Sequence, residues 1–159
     1  MNSPTKQRLA QLLGYGGLIP FLYLAFCLVE SAQSRNSDGP WLIIFIVAYG
    51  AVILSFVGAL HWAICLQRDE LGAGWLVWSV APSLIGWLAL CGAVVANDPL
   101  SQQKLIVLVL IAGFVAQLIA DFRMRHILTS AVWPDWFMRL RVQLTAVACA
   151  SLAVLLFIP

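Results

Sequence analysis

Charge is what this sequence has least of. Nine basic and seven acidic side chains are all that 159 residues carry, and the net charge of +2 is spread between hydrophobic stretches. A surplus so dispersed offers no basic face, and no nucleic-acid partner is expected. Histidine is equally scarce. His61 and His126 are too few for a polyhistidine metal site, and placing both on a haem would require His126 to fold back from the membrane surface to the depth of His61. The four cysteines, Cys27, Cys65, Cys91 and Cys149, include no Cys-x-x-Cys pair and lie within or at the ends of apolar segments, so they read as small buried hydrophobes. No Gly-x-Ser-x-Gly, phosphate loop, His-Glu-x-x-His or dinucleotide fingerprint occurs. Hydrolytic and nucleotide-driven chemistry therefore have no support, the reading leans away from an enzyme, and neither a metal nor a cofactor is expected.

What the sequence has in abundance is apolar surface. It is 62% hydrophobic with a mean hydropathy of +0.94 and seven Trp, a residue that favours the headgroup region of a bilayer. The composition predicts an all-α, polytopic membrane helix bundle forming a single transmembrane domain over residues 1–159, with the lipid bilayer as its first partner. Five spans are expected, over about 9–29, 41–66, 75–96, 104–122 and 140–158, with an interfacial segment over 123–139. Residues 9–29 are long enough to cross a bilayer and are read as a retained helix, not a cleaved signal. Gly14, Gly16, Gly17 and Pro20 predict close packing or a kink within that first span. Glu30 to Pro40 reads as a loop, Asn97-Asp98-Pro99 ends the third span, and Pro134-Asp135 opens a new helix. Within 123–139, Ile127, Leu128, Val132, Trp133, Trp136 and Phe137 are scattered as in a segment lying on the membrane surface. No internal repeat is visible, and an odd number of spans argues against a duplicated transporter.

Basic residues set the orientation. Lys6, Arg8, Arg68, Arg123, Arg125, Arg139 and Arg141 fall on one side of a five-span chain, whereas the other side has Arg35 and Lys104. That asymmetry predicts N-in/C-out in a bacterial inner (cytoplasmic) membrane. Orientation turns sequence position into depth. His61 then lies roughly 8 Å inside the inner boundary at 1.5 Å per residue. Gln117, Asp121, Ser79, Ser83, Tyr15, Arg141 and Thr145 map to the same inner half.

Ionisable and amide groups inside a bilayer tend to face the bundle interior, a cavity or one another. His61, Asp121, Gln117, Arg141, Ser79, Ser83 and Tyr15 are therefore the candidate lining of a polar pocket open to the cytoplasmic leaflet. In it Asp121 would accept a hydrogen bond from His61, and Arg141 would hold a phosphate or carboxylate. A quinone, an anionic lipid or a proton is the expected cargo. The plainer alternative also stands. Asp121 would mark the interface, paired with Arg123 or Arg125, Arg141 would be a snorkelling anchor, and His61 would bond a backbone carbonyl or a serine to lock helix packing. A further set, Gly50, Ala51, Ser55, Gly58 and Ala59, forms a small-residue seam expected to bring helices close, either within the bundle or against another chain. On that seam rests the leading expectation, a non-enzymatic binding or assembly protein, whether as accessory subunit beside a membrane-protein partner or as a homo-oligomer.

Several stretches carry a resemblance. Gly14-Tyr15-Gly16-Gly17-Leu18-Ile19-Pro20-Phe21, Tyr49-Gly50-Ala51, Ser55-Phe56 with Gly58 and His61-Trp62, Trp78-Ser79 with Pro82-Ser83-Leu84, Gln117 with Asp121, and Pro134 with Trp136-Phe137 and Leu140-Arg141 follow one order. In these residues, from Leu13 onward, the chain resembles an uncharacterised bacterial membrane family that includes mitochondrial transmembrane protein 69. The resemblance implies a small multi-spanning inner-membrane protein and carries no activity with it.

Overall fold

The structure is a computed structural model, described here over residues 4–34, 39–95, 99–128 and 133–158. Arg35 in the first loop, Asn97 and Asp98 after the third span, and Val132 lie outside the described residues. Six helices follow one another: α1 (Pro4–Gly16), α2 (Ile19–Ser34), α3 (Gly39–Cys65), α4 (Ala73–Val95), α5 (Pro99–Ile127) and α6 (Asp135–Ala153), the last closing in a 3₁₀ turn over Val154–Leu156. The chain is all-helical over the described residues, and five stretches are long and apolar enough to cross a membrane, α1 and α2 together counting as one.

The first span is interrupted where the glycines and proline predict. Pro20 has no N–H for the carbonyl four residues back, and its ring crowds that carbonyl. The chain yields at Gly17-Leu18, where Leu18 N–H turns to the Tyr15 carbonyl and the Tyr49 hydroxyl donates to the Gly17 carbonyl at 2.7 Å. The loop expected from Glu30 begins later, since α2 continues through Ser34, whose hydroxyl donates to the Glu30 carbonyl.

Helix α3 is the axis of the bundle. Its buried side includes Gly50, Leu54, Gly58, His61 and Cys65, the set that a 100° step brings onto one face. Helices α3 and α4 run antiparallel and touch backbone to backbone. A Cβ on Gly58 would stand 2.6 Å from the Ser79 carbonyl oxygen, and one on Gly86 would stand 3.0 Å from the Ala51 Cα. The seam is thus Ala51 and Gly58, seven residues apart and within about 20° on the helix, whereas Ala59 has turned about 80° from Ala51 and is exposed. Ser55 is half-buried, with its hydroxyl turned back to the Ala51 carbonyl at 2.9 Å. Gly50 faces elsewhere, toward Leu110, Phe21 and Leu152 in the main core.

Helix α5 departs most from expectation. It starts before Lys104 and runs past Phe122 to Ile127, because no glycine or proline follows Gly113 until Pro134. The remaining connection does not present all its apolar residues to the surface. Leu128 and Trp133 are buried, and with Cys65, Leu71, Met124 and Met138 they form a second apolar cluster capping one end of the bundle. All four cysteines are free thiols.

Candidate functional site

Between the main core and this cap lies the bundle's polar cluster. Asp121 on α5 accepts two hydrogen bonds, one from His61 Nε2 on α3 at 2.7 Å and one from Arg141 Nε on α6 at 2.8 Å. The side chains of His61, Asp121 and Arg141 are 0%, 2% and 11% exposed. One carboxylate thus ties three helices together, with each oxygen facing one donor. Arg123 cannot take this place because it is two residues from Asp121, on the far side of the helix. Arg125 is engaged with Asp135 at the start of α6. The reading in which Asp121 pairs with a neighbouring arginine of its own helix is therefore overturned, as is that of Arg141 as a free anchor.

The cluster leaves polar atoms over. His61 Nδ1 and Arg141 Nη2 are buried with no hydrogen-bond partner among the described residues, and so are both amide atoms of Gln117, which sits one turn from Asp121 on the same face. Trp75 and Trp133 stand edge-on to the imidazole, with ring centroids 6.4 and 6.2 Å away. Trp133 was not anticipated here. Its placement depends on the path of the chain between α5 and α6, and no periodic pattern in the sequence reports that path.

Arg141 also borders a cavity of about 160 Å³ lying against the α1–α2 break. Its other walls are Leu13, Gly14, Gly17, Leu18 and Phe21, then Ile53, Phe56 and Val57 of α3, Phe114 of α5, and Leu144, Thr145 and Ala148 of α6. Arg141 and Thr145 are the polar side chains in that lining. Leu13 and Phe56 are largely exposed on the outer face, so the cavity borders the lipid. The space exists because Pro20 bends the first span, and the Gly14 and Gly17 backbones form part of its wall.

The other expected pocket residues are elsewhere. The Ser79 hydroxyl donates to the Leu76 carbonyl at 2.6 Å and its own carbonyl packs against Gly58, so it belongs to the α3–α4 seam. Ser83 is half-buried further along α4. Tyr15 is exposed and donates to Gln143 Oε1 at 2.6 Å, facing α6 from outside the bundle. Tyr15 belongs to α1, ahead of the break at Gly17-Leu18, and α1 packs against α6 with this side chain outside the polar cluster. Among the described residues no three His, Cys, Asp or Glu side chains converge as a metal site would require.

Comparison with known proteins extends over this whole framework. Transmembrane protein 69 of Xenopus tropicalis is 33% identical over 146 residues, covering 88% of this chain and 50% of the relative, so the chain spans about half the length of the curated relative it matches. No solved structure matches. A family model described as protein of unknown function (DUF3429) matches residues 6–157, a stretch that holds all six helices but the start of α1 and every member of the polar cluster. This multi-pass membrane protein belongs to the DUF3429 family.

Proposed function

We propose that this membrane protein acts by binding a small amphipathic molecule whose neutral head accepts hydrogen bonds, of the quinone class, with the head in the Arg141 cavity and the tail in lipid. The observation that carries this reading is the guanidinium of Arg141. With Thr145 it is the polar part of a mostly apolar cavity lining, its Nε is spent on Asp121, and its Nη2 is buried without a partner among the described residues. A buried donor left unpaired costs about 1–3 kcal/mol, and a ligand carbonyl would recover that.

Charge and size narrow the ligand. Asp121 already balances the Arg141 charge at 2.8 Å, which favours a neutral acceptor over a second anion. A cavity of about 160 Å³ takes a single ring, whose substituents can reach past the lipid-facing rim, and is too small for a lipid headgroup with its glycerol. The lipid-facing rim at Leu13 and Phe56 gives an apolar tail its way out. Thr145 supplies a second donor, its hydroxyl, from the same helix as Arg141.

Seven basic residues against two support the N-in orientation, on which the site would lie in the inner half of a bacterial inner membrane. An assembly role has less to rest on, because Ala51 and Gly58 are used within the chain against α4. The test is thermal unfolding in detergent with decylubiquinone or palmitate added. Decylubiquinone is expected to raise the unfolding temperature of the natural chain and not of Ala148→Phe, which fills the cavity, with Thr145→Val intermediate. Equal shifts in all three proteins, or stabilisation by palmitate alone, would overturn the reading.

A further inference from the structure

The displaced Tyr15 marks a second polar feature, separate from the cavity at Arg141. Gln7, Gln11 and Tyr15 stand four residues apart on α1 and face Trp136, Arg139 and Gln143 of α6 across a groove of about 320 Å³. A polar strip of this kind on the outside of a membrane bundle is costly next to acyl chains. We propose that the groove binds the headgroup of an anionic phospholipid, with the phosphate on Arg139.

Three observations carry this. The groove is rich in donors and has no carboxylate among the described residues that line it. Arg139 makes no ion pair among the described residues, and Asp135, one turn before it on α6, is engaged with Arg125. The Tyr15 hydroxyl donates to Gln143 Oε1, which leaves the amide N–H groups of the exposed Gln143 as donors, and the Trp136 indole N–H is buried with no partner among the described residues. The donors also lie at two depths. Arg139 is about 6 Å along α6 from Asp135 and Gln143 about 12 Å, by the helical rise. A phospholipid presents the same order of acceptors, its phosphate at the boundary and its ester carbonyls deeper, whereas a free phosphate ion would use the outer donor alone. Basic pockets between helices at a membrane boundary take lipid headgroups by this chemistry.

The test is native mass spectrometry of the whole chain in mild detergent, titrated with phosphatidylglycerol or phosphatidylcholine. One phosphatidylglycerol molecule is expected to be retained about fivefold more strongly than phosphatidylcholine, the worth of one cation beside an anionic headgroup. Arg139→Gln should abolish that preference. Gln143→Leu should weaken retention of both lipids, and Arg8→Gln, an exposed cation outside the groove, should leave it unchanged. Millimolar inorganic phosphate should not displace the lipid. Equal retention by Arg139→Gln and the natural chain overturns the site, and displacement by inorganic phosphate overturns its assignment to a lipid.

Discussion

Asp121 decides the chemistry of this molecule at the scale of single residues. Its carboxylate receives His61 on one oxygen and Arg141 on the other, in a region where water does not compete. Breaking a buried ion pair by removing one partner costs about 3–5 kcal/mol, because the other charge is left alone. Asp121→Leu should therefore lower unfolding stability in detergent by about that amount. Combining it with Arg141→Met, which removes the orphaned charge, should restore most of the loss, and a double change no better than the single one would show that the pair does not act as a unit. Part of this cluster is legible in sequence. The depth of His61, Asp121 and Arg141 follows from counting residues, and the shared face of Gln117 and Asp121 follows from their spacing. Which arginine reaches Asp121 is not legible, because it depends on α6 lying beside α5 and on Asp135 holding Arg125. Trp133 was equally hidden, being placed by a connection and not by a helix.

At the scale of elements, the α3–α4 pair shows how closely backbones can approach when small residues recur every seven positions. A methyl group at Gly58 would meet the Ser79 carbonyl oxygen, which belongs to the backbone and cannot swing aside. Gly58→Ala is expected to cost about 1–3 kcal/mol of stability, the usual scale of overpacking. Gly16→Ala meets nothing within 4 Å and should be neutral or stabilising, by up to about 0.5–1 kcal/mol. Thermal unfolding of the two variants side by side checks the contrast, and equal losses would contradict it. The helices themselves were readable from hydropathy and from Gly and Pro, including the break before Pro20. Their ends were less so. Helix α5 outruns its apolar segment because Arg123, Arg125 and His126 are compatible with a helix, and the limit of hydropathy is not the limit of helical backbone. The small-residue pattern was visible, but four-residue steps led to Ala59, while the contact follows the seven-residue step from Ala51 to Gly58.

For the whole molecule, five spans place the start of α1, the α3–α4 turn and the α5–α6 connection at one end of the bundle. The proposed N-in orientation, which rests on the positive-inside asymmetry, predicts that this end faces the cytoplasm. In a background with the four natural cysteines replaced, Gly72→Cys should resist a membrane-impermeant maleimide until the cells are permeabilised, while Ser34→Cys should react in intact cells. The reverse pattern would invert the orientation and move the polar cluster to the other leaflet. Orientation leaves the cavity itself unchanged, since its walls are set by the bend before Pro20 and by α3, α5 and α6. The most direct measurement of its role is photo-crosslinking with an azido-quinone followed by peptide mapping. Binding in the cavity predicts label on Phe56 or Val57 of α3 and on Leu144 to Ala148 of α6, suppressed by excess decylubiquinone and by Ala148→Phe. Label spread over exposed side chains such as Val77, Leu84 and Leu105, with no effect of competitor or of the filled cavity, would contradict it.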